Sequence, residues 1–100
     1  MPAPAARLGD TILTGHLCSP IATIATPPQT KVIVDGSLGA VISTDIAPHT
    51  ILAGKVCVNH PAIVTGGSTK VFYQGIPASR IGDGADMGCI ISGSSKVFIG

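Results

Sequence analysis

Apolar positions in this chain come in short β-branched and aliphatic runs, separated throughout by Gly, Pro, Ser and Thr. Residues 24–36, 63–75 and 90–100 share one layout, in which an apolar run is followed by a turn sequence, a Lys and a second apolar run. The turn sequences are Pro-Pro, Gly-Gly-Ser and Gly-Ser-Ser, which reverse a chain readily. Because β-branched runs are typical of strands, we predict three β-hairpin units.

Helices are not expected, because Gly or Pro interrupts nearly every stretch in which one could form and no 3.6-residue apolar period is present. The predicted fold class is therefore all-β. At 100 residues the chain is expected to form one domain, residues 1–100. Three similar hairpin units in one chain also predict pseudo-threefold symmetry.

A second repeat lies in the connectors between these units. Pro-Ala-Ala-Arg-Leu-Gly-Asp at residues 4–10 returns as Pro-Ala-Ser-Arg-Ile-Gly-Asp at residues 77–83. Six residues after each Asp stands a metal-ligating residue preceded by glycine, His16 in the first copy and Cys89 in the second. The middle connector keeps an Asp but has no arginine, and its nearest ligand is His49. The matching motif and spacing indicate related places in the fold that each present a metal ligand.

The arginine–aspartate pairs of the two copies have a structural interpretation. Arg7 with Asp10, and Arg80 with Asp83, are spaced to form ion pairs that brace a turn. The glycine before each Asp allows a backbone angle that other residues rarely adopt. We prefer this interpretation to a catalytic one.

Composition limits the partners that the protein could have. The net charge is +1, only 11% of the residues are charged, and no cluster of Lys or Arg is present. Without such a cluster the chain has no means of neutralising phosphates, which excludes a nucleic-acid partner. So little surface charge in a chain that is 45% hydrophobic favours a protein surface covered by an obligate partner.

The three cysteines are an odd number, and the N-terminal residues lack the basic and apolar regions of a secretory signal peptide. We therefore expect synthesis in the cytoplasm and no set of disulfides. Cys18 and Cys57 are interpreted as small buried apolar residues, which is the usual state of free cysteine.

A metal site is the chemistry that the sequence favours. The chain has three histidines, each in or beside a connector that precedes a repeated unit: His16, His49 and His60. Cys89 has the matching place before the last unit. Three imidazoles and one thiolate make a closed, structural zinc site. The spacing alone also permits ligand sets that use Cys18 or Cys57.

Catalysis is not expected. The chain contains five aspartates and no Glu, so candidates for a general base near an open metal position are few. No Ser-His-Asp pattern or phosphate-binding glycine loop is evident. We therefore predict that the protein is not an enzyme.

At this point the sequence resembles a known family, the PAAR-repeat proteins. Residues 4–7 spell the Pro-Ala-Ala-Arg signature, and residues 77–80 are a near copy. The Gly-Asp after each arginine, the turn-and-strand units and the closing Cys-Ile-Ile-Ser-Gly-Ser-Ser-Lys-Val-Phe-Ile-Gly of residues 89–100 are similar to the family as well. The resemblance covers essentially the whole chain.

The resemblance implies a small cone-shaped PAAR fold of three β-hairpin repeats, with one structural metal ion bound near the apex. Zinc is the expected metal and iron is the second candidate. Carried over residue by residue, the ligands are three histidines and one cysteine: His16, His49, His60 and Cys89. The middle repeat lacks Pro-Ala-x-Arg, which makes the position of His49 the least regular.

The resemblance also implies a function. Such proteins cap the blunt end of a trimeric β-helical spike, with one chain per trimer. The spike is either a valine-glycine-repeat protein of a type VI secretion system or the central spike of a contractile phage tail. The implied role is to sharpen a tip that punctures a target membrane, so the implied location is the spike or virion tip, outside the producing cell or inside the target cell. The alternative role is an adaptor that docks non-covalent effectors onto the spike.

Docking on a spike would cover the unpaired strand edges of the hairpins. Six apolar strand residues are candidates for either the core or this docking base: Val32, Val34, Val71, Tyr73, Val97 and Ile99. Strand alternation predicts that Val71 and Tyr73 lie on one face and Phe72 on the other.

Overall fold

The backbone is built from short extended segments. The computed structural model describes residues 2–100, which form twelve strands and no helix, so the all-β prediction is confirmed. The strands in chain order are β1 (Ala3–Pro4), β2 (Thr11–Leu13), β3 (Ile21–Thr23), β4 (Ile33–Val34), β5 (Ser37–Leu38), β6 (His49–Ala53), β7 (Val56–His60), β8 (Phe72–Tyr73), β9 (Ile76–Pro77), β10 (Gly84–Ala85), β11 (Gly88–Ile90) and β12 (Phe98–Ile99). Within the described range no helix is long and apolar enough to cross a membrane.

Two short hairpins and one pairing of the chain ends repeat the same arrangement. β4 pairs with β5, and β8 with β9, each across a two-residue turn. The turns are Asp35-Gly36 and Gln74-Gly75, and φ is positive at all four residues. Positive φ at both central residues defines a type I′ turn, whose twist matches that of the paired strands. In the third copy β12 pairs with β1, so the chain ends take the place of a turn.

The predicted turn sequences lie elsewhere, and the prediction that they close the hairpins is wrong. The Pro-Pro, Gly-Gly-Ser and Gly-Ser-Ser segments connect strands of different sheets. Each segment brings in one polar side chain that is about 1% exposed: Gln29, Ser68 and Ser94. In every copy its oxygen accepts hydrogen bonds from the N–H groups two and three residues further along. These local bonds shape the approach to β4, β8 and β12, whereas the I′ turns reverse the chain.

The arginine–aspartate pairs brace turns, as predicted. Arg7 N–H donates to Asp10 Oδ2 at 2.7 Å, and its guanidinium bonds to both oxygens of the same carboxylate at 3.1 Å. Arg80 and Asp83 repeat the pattern, with the backbone N–H at 2.7 Å and the guanidinium bonds at 3.0 and 2.9 Å. In both copies the glycine before the Asp has a φ of 92°.

The middle connector has the same turn with different residues. Thr44 Oγ1 accepts a hydrogen bond from Val41 N–H at 3.0 Å, which is the bond that the aspartates make in the other copies. Ser43 has a φ of 76° and takes the place of the glycine. Thr44 rather than the exposed Asp45 is therefore the residue equivalent to the aspartates. The repeat in the sequence does not show this equivalence, because a hydroxyl replaces the carboxylate as the hydrogen-bond acceptor.

The described residues form two hydrophobic clusters. One lies against the four-stranded sheet with strand order β10-β11-β2-β3, in which Ile12 pairs with both Ile90 and Ala22. Its buried members are Ala6, Ile12, Ala22, Ile24, Ala40, Ile46, Val64, Ala85 and Ile90. The other joins the three repeated strand pairs, and its buried members are Ala5, Val34, Val41, Tyr73, Ala78 and Ile99.

The six apolar strand residues that were candidates for core or base belong to the second cluster. Three are buried and three are partly buried against them: Val34, Tyr73 and Ile99, then Val32, Val71 and Val97. Phe72 is 53% exposed, so the predicted alternation along β8 is confirmed. Burial of the same position in every copy gives the three strand pairs one common core.

β6 and β7 form a longer hairpin, residues 49–60, which we call the arm. It is antiparallel from His49 opposite His60 to Ala53 opposite Val56, with a turn in which Gly54 has a φ of 66°. Residues 52–59 are all exposed, and no arm residue belongs to either buried cluster. The arm therefore depends on something other than apolar packing for its position.

A disulfide joins the arm to the connector between β2 and β3. Cys18 and Cys57 are bonded, and their Cα atoms are 6.0 Å apart. Cys57 is exposed and Cys18 half-buried, so the interpretation of both as buried free cysteines is wrong, and one disulfide is present where the sequence predicts no set of them. The two residues are 39 positions apart, and only the folded arm brings them together.

Candidate metal centre

His16 lies in a small closed loop after β2. Thr14 N–H donates to Pro20 O at 2.9 Å, and His16 N–H donates to the buried Thr14 Oγ1 at 3.2 Å. Gly15, with a φ of 82°, gives the chain the bend that this loop needs. The loop fixes the backbone of His16, whose side chain is 14% exposed.

His49 and His60 face each other at the inner end of the arm. They are direct cross-strand partners, and opposite residues of an antiparallel pair have Cβ atoms only about 4.5–5.5 Å apart. Pro48 precedes β6 and Pro61 follows β7, and proline has no N–H to extend the ladder. The strand register therefore holds the two imidazoles together, with ring centroids 5.3 Å apart.

The fourth member of the site is Asp86, in the two-residue turn between β10 and β11. Its φ is 56°, in the left-handed region that residues other than glycine rarely adopt. Such a backbone outlier is a reason to look for a functional role. Its carboxylate is 4% exposed and lies among the three histidine rings.

All three imidazoles converge on this one carboxylate. The Nε2 atoms of His16 and His49 lie 2.9 Å and 2.6 Å from Asp86 Oδ2, and the Nε2 of His60 lies 3.1 Å from Oδ1. One donor atom from each of the four residues lies within 4.8 Å of the others. Three imidazoles therefore surround one carboxylate, in a group compact enough to hold a metal ion.

Hydrogen bonding prepares His49 as a ligand. Its Nδ1 lies 3.0 Å from Ala47 O, and because a carbonyl can only accept, Nδ1 carries the proton. Its Nε2 lies 2.6 Å from Asp86 Oδ2, a distance that needs either a proton on Nε2 or a cation beside the two atoms. A partner for the second ring nitrogen is the usual mark of a metal-binding histidine.

The carboxylate itself stays ionised. Burial raises the pKa of Asp86, but the three surrounding imidazoles of His16, His49 and His60 outweigh burial and hold the pKa below its usual value. The buried Nε2 of His16, although close to Oδ2, has no well-directed hydrogen bond among the described residues. An anionic carboxylate and an unsatisfied ring nitrogen both fit a bound cation.

The cluster could hold one metal ion. Imidazole nitrogen and carboxylate oxygen are established ligands of zinc, and imidazole also suits iron. Four protein donors fill a tetrahedral shell, and this number of protein ligands is typical of structural rather than catalytic zinc sites.

Cys89, the fourth ligand predicted from the sequence, lies on β11, where it pairs with Leu13 and Gly84. Ile90, its neighbour in the strand, is fully buried on the core face. Alternation therefore turns Cys89 toward the opposite face, which it shares with Leu13. The structure groups Asp86 with the histidines, and the role of Cys89 as a ligand stays a prediction.

The sequence repeat led to Cys89 because the two copies keep the same spacing but not the same path. After Asp10 the chain continues as a three-residue strand, whereas after Asp83 it reverses at Asp86 and Met87. Six residues after each Asp, the two copies of the repeat have therefore reached different places in the fold. The signal for Asp86 in the sequence is a lone carboxylate between two short apolar segments, which is too weak to identify a ligand.

A cavity of about 490 Å³ opens beside the cluster. His60, the most exposed of the ligands at 28%, forms part of its wall together with Asp45, Asn59 and apolar residues of the two flanking connectors. The cavity therefore meets the cluster at His60.

No protein-family model matches the chain, and no curated protein matches it.

Proposed function

We propose that this protein is a structural metal-binding tip that caps a trimeric β-helical spike of a contractile injection machine. In this proposal the fold is a cone with pseudo-threefold symmetry. The three repeated strand pairs form its base, and the metal centre lies toward the apex. The spike is a valine-glycine-repeat protein of a secretion system or the central spike of a phage tail, and one chain caps each trimer.

The observation that carries the proposal is an apolar residue repeated at one position of the three strand pairs. The first residue of β4, β8 and β12 is large, apolar and more than half exposed: Ile33 (58%), Phe72 (53%) and Phe98 (56%). The residue after each one is buried in the common core. Three exposed apolar side chains at equivalent positions match the end of a threefold partner, since each would meet the same surface of a different subunit.

The backbone of these strand pairs supports the same proposal. Each is a sheet of only two strands. On one side the carbonyls of Leu38, Pro77 and Pro4 already accept hydrogen bonds from the N–H groups of Leu8, Ile42 and Ile81, which leaves β4, β8 and β12 as the edge strands. Such edges are usually paired or covered. The blunt end of a β-helix has unpaired groups of the same kind, and strand addition would satisfy both partners.

The metal has a structural role in this proposal. A metal held by four protein ligands has no open position for a substrate. It joins the loop of His16, the arm of His49 and His60, and the turn of Asp86 into one unit. Metal binding of this kind contributes directly to folding free energy, which suits a part that carries mechanical load.

The test is binding to a trimeric β-helical spike protein from the same genome, followed by light scattering of the purified complex. We expect one chain per trimer for the wild type and loss of the complex for Phe72→Asp. The matched control is Met87→Asp, because Met87 is equally apolar and 76% exposed but lies in the turn beside Asp86. Loss of binding in the control alone would contradict the proposed base.

A second outcome would change the assignment. If the chain bound a toxin domain as tightly as the spike, and Phe72→Asp left that interaction intact, the adaptor role would be favoured. Failure to bind any trimeric spike, by a protein shown to be folded and metal-loaded, would overturn the proposal.

A further inference from the structure

Two crosslinks join the same two segments of the protein. The loop after β2 carries His16 and, two residues later, Cys18. The arm carries Cys57 and, three residues later, His60. The disulfide joins the two cysteines, and a metal ion in the centre would join the histidines.

Besides these crosslinks, hydrogen bonds hold the arm near this loop: at its base, Ala47 N–H donates to Thr23 O of β3 and Ile46 N–H donates to Ala62 O. Ser19 Oγ accepts a hydrogen bond from Thr50 N–H at 3.1 Å and lies 2.9 Å from Thr50 Oγ1. The outer part of the arm, residues 52–59, is exposed, and no residue of the arm belongs to the buried clusters. The disulfide and a bound metal would therefore add to these hydrogen bonds in fixing the position of His60 relative to His16.

The disulfide also shortens the covalent path between the ligands. Without it, His16 and His60 are separated by about 44 residues of chain. With it, the path through Cys18 and Cys57 is equivalent to roughly 6 residues. Effective concentration falls with about the three-halves power of loop length. The shorter path alone would therefore raise the effective concentration of one histidine at the other by at most about 20-fold.

We propose that the Cys18–Cys57 disulfide and the metal centre are thermodynamically coupled, so that oxidation of these two thiols tightens metal binding. The chain would then hold its metal loosely when reduced and firmly when oxidised. Because the folded body already restrains both segments, we expect a coupling of about tenfold, within the usual range for linked sites. This inference concerns the metal centre and does not depend on binding to a spike.

The covalent step is an ordinary thiol–disulfide exchange. A small-molecule disulfide such as oxidised glutathione accepts two electrons from the Cys18 and Cys57 thiols and leaves as two thiols, while the sulfur–sulfur bond of the protein forms. Cys57 is exposed and Cys18 half-buried, so the pair is accessible to such a reagent. Reduction reverses the step.

The first measurement is the zinc affinity of four proteins by competition with a chromophoric chelator. These are oxidised wild type, wild type reduced with a phosphine, Cys18→Ser/Cys57→Ser, and the control Leu17→Ser/Val58→Ser. The control changes the exposed neighbours of both cysteines, and Cys89 is retained throughout. We expect zinc binding about tenfold weaker in the reduced and cysteine-free proteins, and unchanged in the control.

The second measurement uses the reciprocity of coupled equilibria. Wild type is equilibrated in glutathione buffers, with and without saturating zinc held by a metal buffer, and the thiols are trapped and counted by mass spectrometry. We expect zinc to favour the disulfide by the same factor. A tenfold shift corresponds to a midpoint about 30 mV more negative.

Three results would overturn the proposed coupling between the disulfide and the metal. Equal zinc affinity in oxidised and reduced wild type would overturn it, as would tighter binding after reduction, which would mean that the free thiols bind the metal. Absence of zinc binding in every state would overturn it as well. If the Cys18→Ser/Cys57→Ser variant fails to fold, the comparison of oxidised and reduced wild type still tests the coupling. Loss of spike binding with the coupling intact would contradict only the proposed function.

Discussion

The body of the protein and the end that bears the candidate metal ligands (His16, His49, His60 and Asp86) are stabilised in different ways. In the body, three strand pairs repeat the same local hydrogen bonds and share a common core around Val34, Tyr73 and Ile99. At the ligand-bearing end, the arm contributes to no buried cluster, and a disulfide, the histidine–aspartate cluster and a few hydrogen bonds connect it to the rest.

This difference shows how a chain of 100 residues can support an arm that projects beyond its hydrophobic core. Small domains bury too little apolar surface to support long projecting elements by packing alone. Crosslinks supply what packing does not, because they restrict the unfolded chain without requiring buried area. The body should therefore respond mainly to changes in packing, and the ligand-bearing end to changes in the crosslinks.

The largest effect is expected at the metal centre. Asp86→Asn removes the charged ligand but preserves the side-chain shape, and we expect zinc affinity to fall more than about 100-fold, beyond the effect of losing an outer contact. The free energy of unfolding should fall by at least about 3 kcal/mol, since structural zinc contributes on the order of 10 kcal/mol in small domains. Metal content by mass spectrometry and denaturant unfolding measure the two effects.

Cys89→Ser is the matched comparison for that variant. If Asp86 is the fourth ligand, the Cys89→Ser protein keeps its metal and nearly all of its stability. The opposite pattern, with metal lost from Cys89→Ser and kept by Asp86→Asn, would restore the ligand set predicted from the sequence. Asp45→Asn, at an exposed carboxylate beside the cavity, controls for a general effect of charge.

A smaller effect is expected where the body meets the ligand-bearing end. A Cβ atom at Gly88 would lie 1.8 Å from the carbonyl oxygen of Leu13, so Gly88→Ala must push β11 away from β2. We expect a loss of about 3 kcal/mol and weaker zinc binding, because His16 follows Leu13 by three residues and Asp86 precedes Gly88 by two. Denaturant unfolding and zinc competition measure both consequences.

Gly54→Ala at the turn of the arm is the control. Nothing lies within 4 Å of an added Cβ there, but its φ of 66° is unfavourable for alanine. The expected loss is about 1–2 kcal/mol with zinc binding unchanged. An equal effect of both variants on zinc affinity would mean that the β11–β2 contact does not position the ligands.

The smallest effects are expected within the repeated turns of the body. Asp10→Ala removes the acceptor for Arg7 N–H, its guanidinium and Ser92 Oγ, and should cost about 2 kcal/mol. Thr44→Val removes the acceptor for Val41 N–H and the donor to Val41 O, and should cost about 1 kcal/mol. Urea unfolding of both variants, with metal content as a check, should give this order without loss of metal. Unchanged stability of Thr44→Val would contradict the equivalence of Thr44 with the aspartates.

The sequence predicted the body better than the ligand-bearing end. The all-β class, the paired charges of Arg7 and Asp10, and the alternation of Val71, Phe72 and Tyr73 all follow from interactions within a few residues. The hairpin turns were misplaced, although Asp35-Gly36 is among the strongest local signals for a two-residue hairpin. The proline and glycine clusters also favour turns, but they connect different sheets, whereas Asp35-Gly36 reverses the chain within one hairpin.

The metal centre and the disulfide depend on contacts that no local pattern contains. His16, His49 and His60 were predicted as ligands because histidine is rare in this chain and recurs near the repeats, and the structure brings these three residues together. Asp86 joins them because the chain reverses at that residue, and Cys57 meets Cys18 because the arm pairs in one particular register.

Sequence alone thus determined the repeated units, the all-β class and the set of histidines, since composition and short-range spacing carry that information. Tertiary structure decided which fourth residue joins the histidines, which cysteines are bonded, and that Thr44 stands for an aspartate. The physical reason is that these outcomes are set by turn geometry and strand register. A shift of one residue in either would send the same side chain to the opposite face.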